Sequence, residues 1–299
     1  MAFPSTVSIV EVGPRDGLQN EKQILSVDDK VALINLLSET GLTRIEAGSF
    51  VSPKWVPQMA DSGNVFNALT KKPGIQYSAL TPNLKGLEAA LEAGVDEIAV
   101  FGAASESFSQ KNINCTISES LQRFEPVLEL AKQHSIPVRG YVSCVMGCPY
   151  EGEIAPSAVA QVSKALLDMG CYEISLGDTI GTGTPGATKA LLDEVLKYIP
   201  VAKTAAHFHD TYGQALVNLY SALEYGVATI DSAVSGLGGC PYAKGASGNV
   251  ATEDVLYMLN GMGVTTNVDM NKLLEVAKLV STMLSRPPVS KVASAYLSQ

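Results

Sequence analysis

The chain alternates short runs of apolar and β-branched residues with longer stretches whose apolar positions recur at helical spacing. The short runs predict strands at 7–11, 44–47, 76–80, 97–101, 138–143, 173–176, 204–209 and 229–233. The longer stretches predict helices at 26–39, 84–91, 118–133, 156–168, 185–198, 216–225 and 252–262, with one more at 270–284. Start signals mark several of them: Ser26 ahead of Asp28 and Asp29, Thr116 with Glu119 three residues on, and Pro156 and Pro185 in a first turn. One phrase repeats, a helix that ends in glycine with an isoleucine four positions later. It pairs Gly41 with Ile45, Gly94 with Ile98, Gly170 with Ile174 and Gly226 with Ile230.

Eight strand–helix units without a linker-like break predict an α/β fold, the (β/α)8 or TIM barrel. The expected organisation is a single catalytic domain, with the barrel at about 5–264 and a C-terminal helical extension at about 265–299 that caps or flanks it. An open doubly wound sheet is the alternative, but no G-x-G-x-x-G follows the first strand.

Composition narrows the functional classes. With 46% hydrophobic and 17% charged residues, the 299-residue chain can bury a sizeable core. A net charge of −9 argues against nucleic acid or an anionic membrane surface as a partner. No apolar run approaches the roughly 20 residues of a membrane span. The five cysteines (115, 144, 148, 171 and 240) lack the spacing of a secreted framework or a zinc ribbon, so reduced thiols are expected. The N-terminal stretch does not read as a secretory leader, and the C-terminal Ala-Tyr-Leu-Ser-Gln is not a peroxisomal address, so the expected setting is cytoplasmic.

In a parallel barrel the chemistry gathers where strands end and the following loops begin. His207 and His209, two of only three histidines, stand on one face of the seventh strand. They are either half of a divalent-metal site or a satisfied polar pair. The first strand ends near Arg15-Asp16. Asp16 is the type of carboxylate that completes a two-histidine site, and Arg15 is a permanent cation suited to an enolate oxygen. A plain ion pair in a turn is the competing account. Glu46 falls within an apolar run, where it needs a partner; Arg44 and Arg15 are the candidates. Asp178 stands at the end of the sixth strand, where it or Thr179 could also cap a helix. The segment after the fourth strand, through Lys111 and Asn112, reads as a small polar loop able to touch substrate. After the eighth strand comes a glycine-rich loop with Cys240 on it. Asn249 closes that loop, either capping the last barrel helix or offering its amide oxygen to a metal.

These segments together resemble the 3-hydroxy-3-methylglutaryl-CoA lyase family. The likeness lies in E-V-G-P-R-D-G-L-Q (11–19), E-A-G-S-F-V (46–51), S-L-G-D-T-I-G (175–181), H-F-H-D-T-Y-G (207–213) and G-L-G-G-C-P-Y-A (236–243). The resemblance implies retro-Claisen cleavage of an acyl-CoA substrate, a CoA thioester, into acetoacetate and acetyl-CoA. It implies a divalent cation, Mg²⁺ or Mn²⁺, held by Asp16, His207, His209 and Asn249. Arg15 would steady the enolate oxygen and Cys240 would protonate carbon. The hydroxyl proton would go to His207, Asp16 or a metal-bound water, while Glu46 and Asp178 orient ligands. Gln19, Lys22, Lys111 and Asn112 would contact CoA. A homodimer is also implied. The alternatives are a lyase for a longer 3-hydroxy-3-alkylglutaryl-CoA, a related acyl-CoA condensing enzyme and a non-catalytic binder.

Overall fold

The computed structural model describes residues 3–239 and 248–298. Eight strands pair in sequence order, all parallel, and β8 closes back onto β1. They are β1 (Ser8–Glu11), β2 (Arg44–Ser49), β3 (Gln76–Leu80), β4 (Glu97–Ala103), β5 (Val138–Ser143), β6 (Glu173–Asp178), β7 (Thr204–Phe208) and β8 (Thr229–Ser232). The fold is therefore the expected (β/α)8 barrel.

The helices are α1 (Val27–Leu37), α2 (Ser62–Ala68), α3 (Leu84–Glu92), α4 (Glu106–Ile113), α5 (Ile117–Gln133), α6 (Pro156–Met169), α7 (Pro185–Val195), α8 (Ala215–Glu224), α9 (Thr252–Gly261), α10 (Met270–Leu284) and α11 (Lys291–Leu297). The start signals act as read. Ser26 and Asp29 close a capping box on α1, and Thr116 and Glu119 close one on α5. The repeated glycine phrase also has a structural cause. Gly41, Gly94, Gly170 and Gly226 all have positive φ, which turns the chain at or just after a helix end. The isoleucine four positions on is then fully buried in the apolar cluster between barrel and helices. At Gly41 space matters too, since an added Cβ would lie 2.1 Å from the Asn267 carbonyl oxygen.

Strand residues one position from those isoleucines face the other way, into the barrel. Barrel interiors are usually layered with Val, Ile and Leu. This one is crossed by ion pairs. Arg139 on β5 reaches Asp231 on β8, and Arg44 on β2 reaches Glu173 on β6. Neither pair of strands is adjacent, so both contacts span the lumen.

Three readings change. The polar stretch after β4 is a helix, α4, rather than a loop. Ser105 caps it by accepting the Phe108 N–H, and Asn114 ends it at φ 52. Only Phe108 and Ser109 are buried along it, so no apolar stripe advertised it. β7 stops at Phe208, and His209 instead forms an isolated antiparallel bridge with Asn249. α2 and α11 were not expected; each is seven residues long. The expected 270–284 helix is α10, and it flanks α1 with Leu273, Val276, Ala277 and Val280 buried. Among the described residues no helix is long and apolar enough to cross a membrane.

Candidate active site

Of the residues singled out from the sequence, Arg15, Asp16, Glu46, His207, His209 and Asn249 meet at the C-terminal mouth of the barrel. After β1, Gly13–Gly17 make a single π turn, closed by Gly17 N–H to the Val12 carbonyl at 3.1 Å. Such turns are rare and often mark functional sites. Gly17 packs so closely on Leu237 that an added Cβ would sit 2.6 Å from the Leu237 Cβ. The turn buries Arg15 and aims Asp16 toward β7.

Arg15 donates Nε to Glu46 Oε2 at 2.8 Å and NH1 to Asp16 Oδ1 at 2.7 Å. Glu46 therefore pairs with Arg15, while Arg44 pairs with Glu173. The other Asp16 oxygen, Oδ2, accepts the Asn249 amide at 2.8 Å and lies 3.8 Å from His207 Nε2. His207 and His209 bring their Nε2 atoms to 3.2 Å of each other. One ligand atom from each of Asp16, His207 and His209 falls within 4.8 Å of the others. Asn249 does not cap α9, whose N-cap is Ala251. Its amide nitrogen donates to Asp16 instead.

Electrostatics fit a cation at this point. Burial works against the Asp16 carboxylate, yet Arg15, the two imidazoles and the Asn249 amide hold its pKa down to about 2. Burial and then the neighbouring His207 push His209 down to about 4, so it is neutral near pH 7. His207 is also burdened by burial, but Asp231 and Asp16 outweigh it and raise its pKa. Two buried imidazole nitrogens facing one carboxylate oxygen form a candidate site for a divalent cation.

Asp178 is fully buried at the end of β6. Burial lifts its pKa to about 6 against the pull of the Gly183, Thr182 and Gly181 N–H groups. Its Oδ2 accepts Gly183 N–H at 2.8 Å, while Oδ1 is buried with no hydrogen-bond partner. The capping alternative is corrected: Thr184 caps α7, and Thr179 Oγ1 accepts from Cys144 N–H instead. Gln19 Oε1 and Glu46 Oε1 are likewise buried and unpartnered. Lys22, Lys111 and Asn112 are exposed and stand outside the hydrogen-bonded cluster. Lys111 lies over the Tyr150 ring at 4.1 Å. Cys240 lies outside the described residues. On either side of its segment, Gly248 N–H donates to the Gly238 carbonyl at 3.4 Å, and Asp210 N–H donates to Gly248 at 2.7 Å.

The sequence reading missed Asp231, Arg139, Ser175 and Tyr141. Asp231 Oδ2 is 3.2 Å from His207 Nδ1, and Tyr141 stands edge-on to the His207 ring at 6.0 Å. Arg15 and Arg139 flank the Tyr141 ring at 5.7 and 5.0 Å. The signal that drew attention to Glu46, a charge inside an apolar strand, was equally present at Arg139 and Asp231.

The HMGL-like family model matches residues 6–280. The chain belongs to the HMGL-like family. It is 59% identical over 299 residues to a Pseudomonas aeruginosa protein named 3-hydroxy-3-isohexenylglutaryl-CoA/hydroxy-methylglutaryl-CoA lyase, covering 100% of both chains. It superposes on the crystal structure of a Pseudomonas aeruginosa hydroxymethylglutaryl-CoA lyase with a TM-score of 0.98 at 59% identity, covering 100% of this chain and 99% of that one. An HMG-CoA lyase from Acinetobacter baumannii, solved in complex with coenzyme A and 3-methylmalate, matches at a TM-score of 0.93 and 38% identity, with 99% and 96% covered.

Proposed function

We propose that this chain is a lyase that cleaves 3-hydroxy-3-methylglutaryl-CoA into acetoacetate and acetyl-CoA, with residues 1–299 forming one catalytic domain. The observation that carries this reading is the meeting of Asp16, His207, His209 and Asn249 at one rim, with Arg15 bonded to Asp16. Family membership points the same way.

Those four residues would hold a divalent cation, Mg²⁺ or Mn²⁺, which when bound polarises and acidifies the tertiary hydroxyl of the substrate. Cleavage needs that hydroxyl proton removed, an enolate held and its carbon protonated. We assign the proton to Asp178 Oδ1 rather than to His207. Both nitrogens of His207 are engaged, Nδ1 at Asp231 and Nε2 in the cluster, whereas Asp178 Oδ1 has no hydrogen-bond partner and burial pushes its carboxyl up to about 6. Arg15, kept charged by Glu46 and Asp16, steadies the oxygen of the developing acetyl-CoA enolate. Cys240, next in the chain to Gly239, supplies the proton that the enolate carbon takes up. Gln19 and, more peripherally, Lys22, Lys111 and Asn112 contact the CoA portion. The setting we propose is cytoplasmic, in keeping with the free thiols of Cys115, Cys144, Cys148 and Cys171. The assembly we propose is a homodimer, which sedimentation of the purified protein would test.

The decisive assay mixes purified protein, Mg²⁺ and the thioester and measures acetoacetate. Metal-dependent release supports the reading; none refutes it. The name of the Pseudomonas aeruginosa relative favours one second reading, the same cleavage on a 3-isohexenyl substrate. Comparing kcat/KM for the two thioesters separates them.

A further inference from the structure

We propose that Asp231 and Arg139 are a positioning pair that fixes His207 with its proton on Nδ1 and its Nε2 lone pair toward the cation. The inference rests on the metal site proposed above. Arg139 grips Asp231 through two parallel bonds, NH2 to Oδ1 at 2.7 Å and NH1 to Oδ2 at 2.9 Å. Ser175 Oγ donates to the same Oδ2 at 2.7 Å. A carboxylate held in this way is ionised and can only accept. The bond between Asp231 Oδ2 and His207 Nδ1, 3.2 Å, must then take its proton from the ring. In the neutral ring that choice leaves Nε2 unprotonated on the side facing His209 and Asp16, open to a cation. The opposite tautomer would place an N–H where the cation has to sit.

Arg139 is itself immobilised. Its Nε donates to Glu173 Oε2 at 2.7 Å, its NH1 donates to the Tyr141 hydroxyl at 2.9 Å, and Glu173 is held from its far side by Arg44. Arg139, Asp231 and Ser175 are all buried, at 1%, 1% and 0% exposure. A merely structural tie would need Arg139 and one acceptor. The placement of a third donor, Ser175, on the very oxygen that meets His207 is what orients the carboxylate toward the ring.

The test has two readouts besides turnover. In the Mg²⁺-loaded protein with ¹⁵N-labelled histidine, imidazole NMR should show His207 protonated at Nδ1, with Nε2 carrying no proton. In Asp231→Asn the amide can present an N–H to Nδ1 and reverse the tautomer. Mn²⁺ titration followed by electron paramagnetic resonance should then show affinity reduced by about 10- to 100-fold. A His207 proton on Nε2 in the wild-type chain, or an Asp231→Asn protein that binds Mn²⁺ as tightly as wild type, overturns the inference. If the variant does not fold, the wild-type spectrum decides it. A wild-type protein that binds no Mn²⁺ removes the metal site itself and the inference with it, a result distinct from either of the others.

Discussion

Asn249 donates its side-chain amide to Asp16 Oδ2 at 2.8 Å, across 233 positions of sequence. This bond ties the turn after β1 to the residue that follows the glycine-rich loop, and the paired imidazoles lie beside it. Asn249→Ala removes both the tether on Asp16 and the amide oxygen proposed as a metal ligand. Mn²⁺ affinity, measured by calorimetry, is expected to fall about 10- to 100-fold with the fold intact. Unchanged affinity would take Asn249 out of the metal site.

In the proposed reaction Arg15 meets charge that develops only during cleavage. Arg15→Gln should lower kcat by about 100- to 1,000-fold while KM changes little, as read from steady-state kinetics. An effect confined to KM would make Arg15 a binding residue. Glu46→Gln should have a smaller effect of the same kind, because Glu46 acts through Arg15.

Cys240 has a different expected signature. Cys240→Ala should lower kcat by about 100-fold or more while bound metal, measured by atomic absorption, stays at the wild-type level. Asp178→Asn should also spare metal content, but it should abolish the limb of the kcat pH profile that titrates near 6. A profile unchanged by Asp178→Asn returns the proton to another group.

Glu253 gives a stability prediction away from the chemistry. It is wholly buried, and both its oxygens accept the Ser235 N–H, at 2.8 and 3.0 Å. Burial pushes its pKa from the ordinary 4.5 up to about 8, the nearby Glu11 carboxylate adding to the rise. The folded chain thus holds this proton more tightly than the unfolded chain. The stability it contributes is full below pH 4.5, declines as pH rises toward 8 and is level beyond. Glu253→Gln lacks that titration. The Tm of wild type minus that of the variant should therefore fall between about pH 5 and about pH 8. A flat or rising difference would contradict the buried-acid account.

The barrel was legible because its units repeat. Four helices are followed by a glycine at positive φ and then an isoleucine that enters the core, so one phrase read four times marked repeated helix–strand corners. The candidate metal cluster could be picked out because Asp16 and the histidine pair lie at or just past strand ends and histidine is rare in this chain, at three residues. What stayed hidden had no periodic or positional mark. α4 has little apolar face, and α2 and α11 are too short for helical spacing to stand out. Asp231 and Arg139 belong to different strands, and their meeting across the lumen depends on closure of the barrel.

The most direct test of the account is a crystal structure of the Mn²⁺-soaked protein with data collected at the manganese absorption edge. The account predicts one anomalous peak enclosed by Asp16, His207, His209 and Asn249, at about 2.0–2.3 Å from the imidazole nitrogens. A peak elsewhere, or none at that rim, would contradict it.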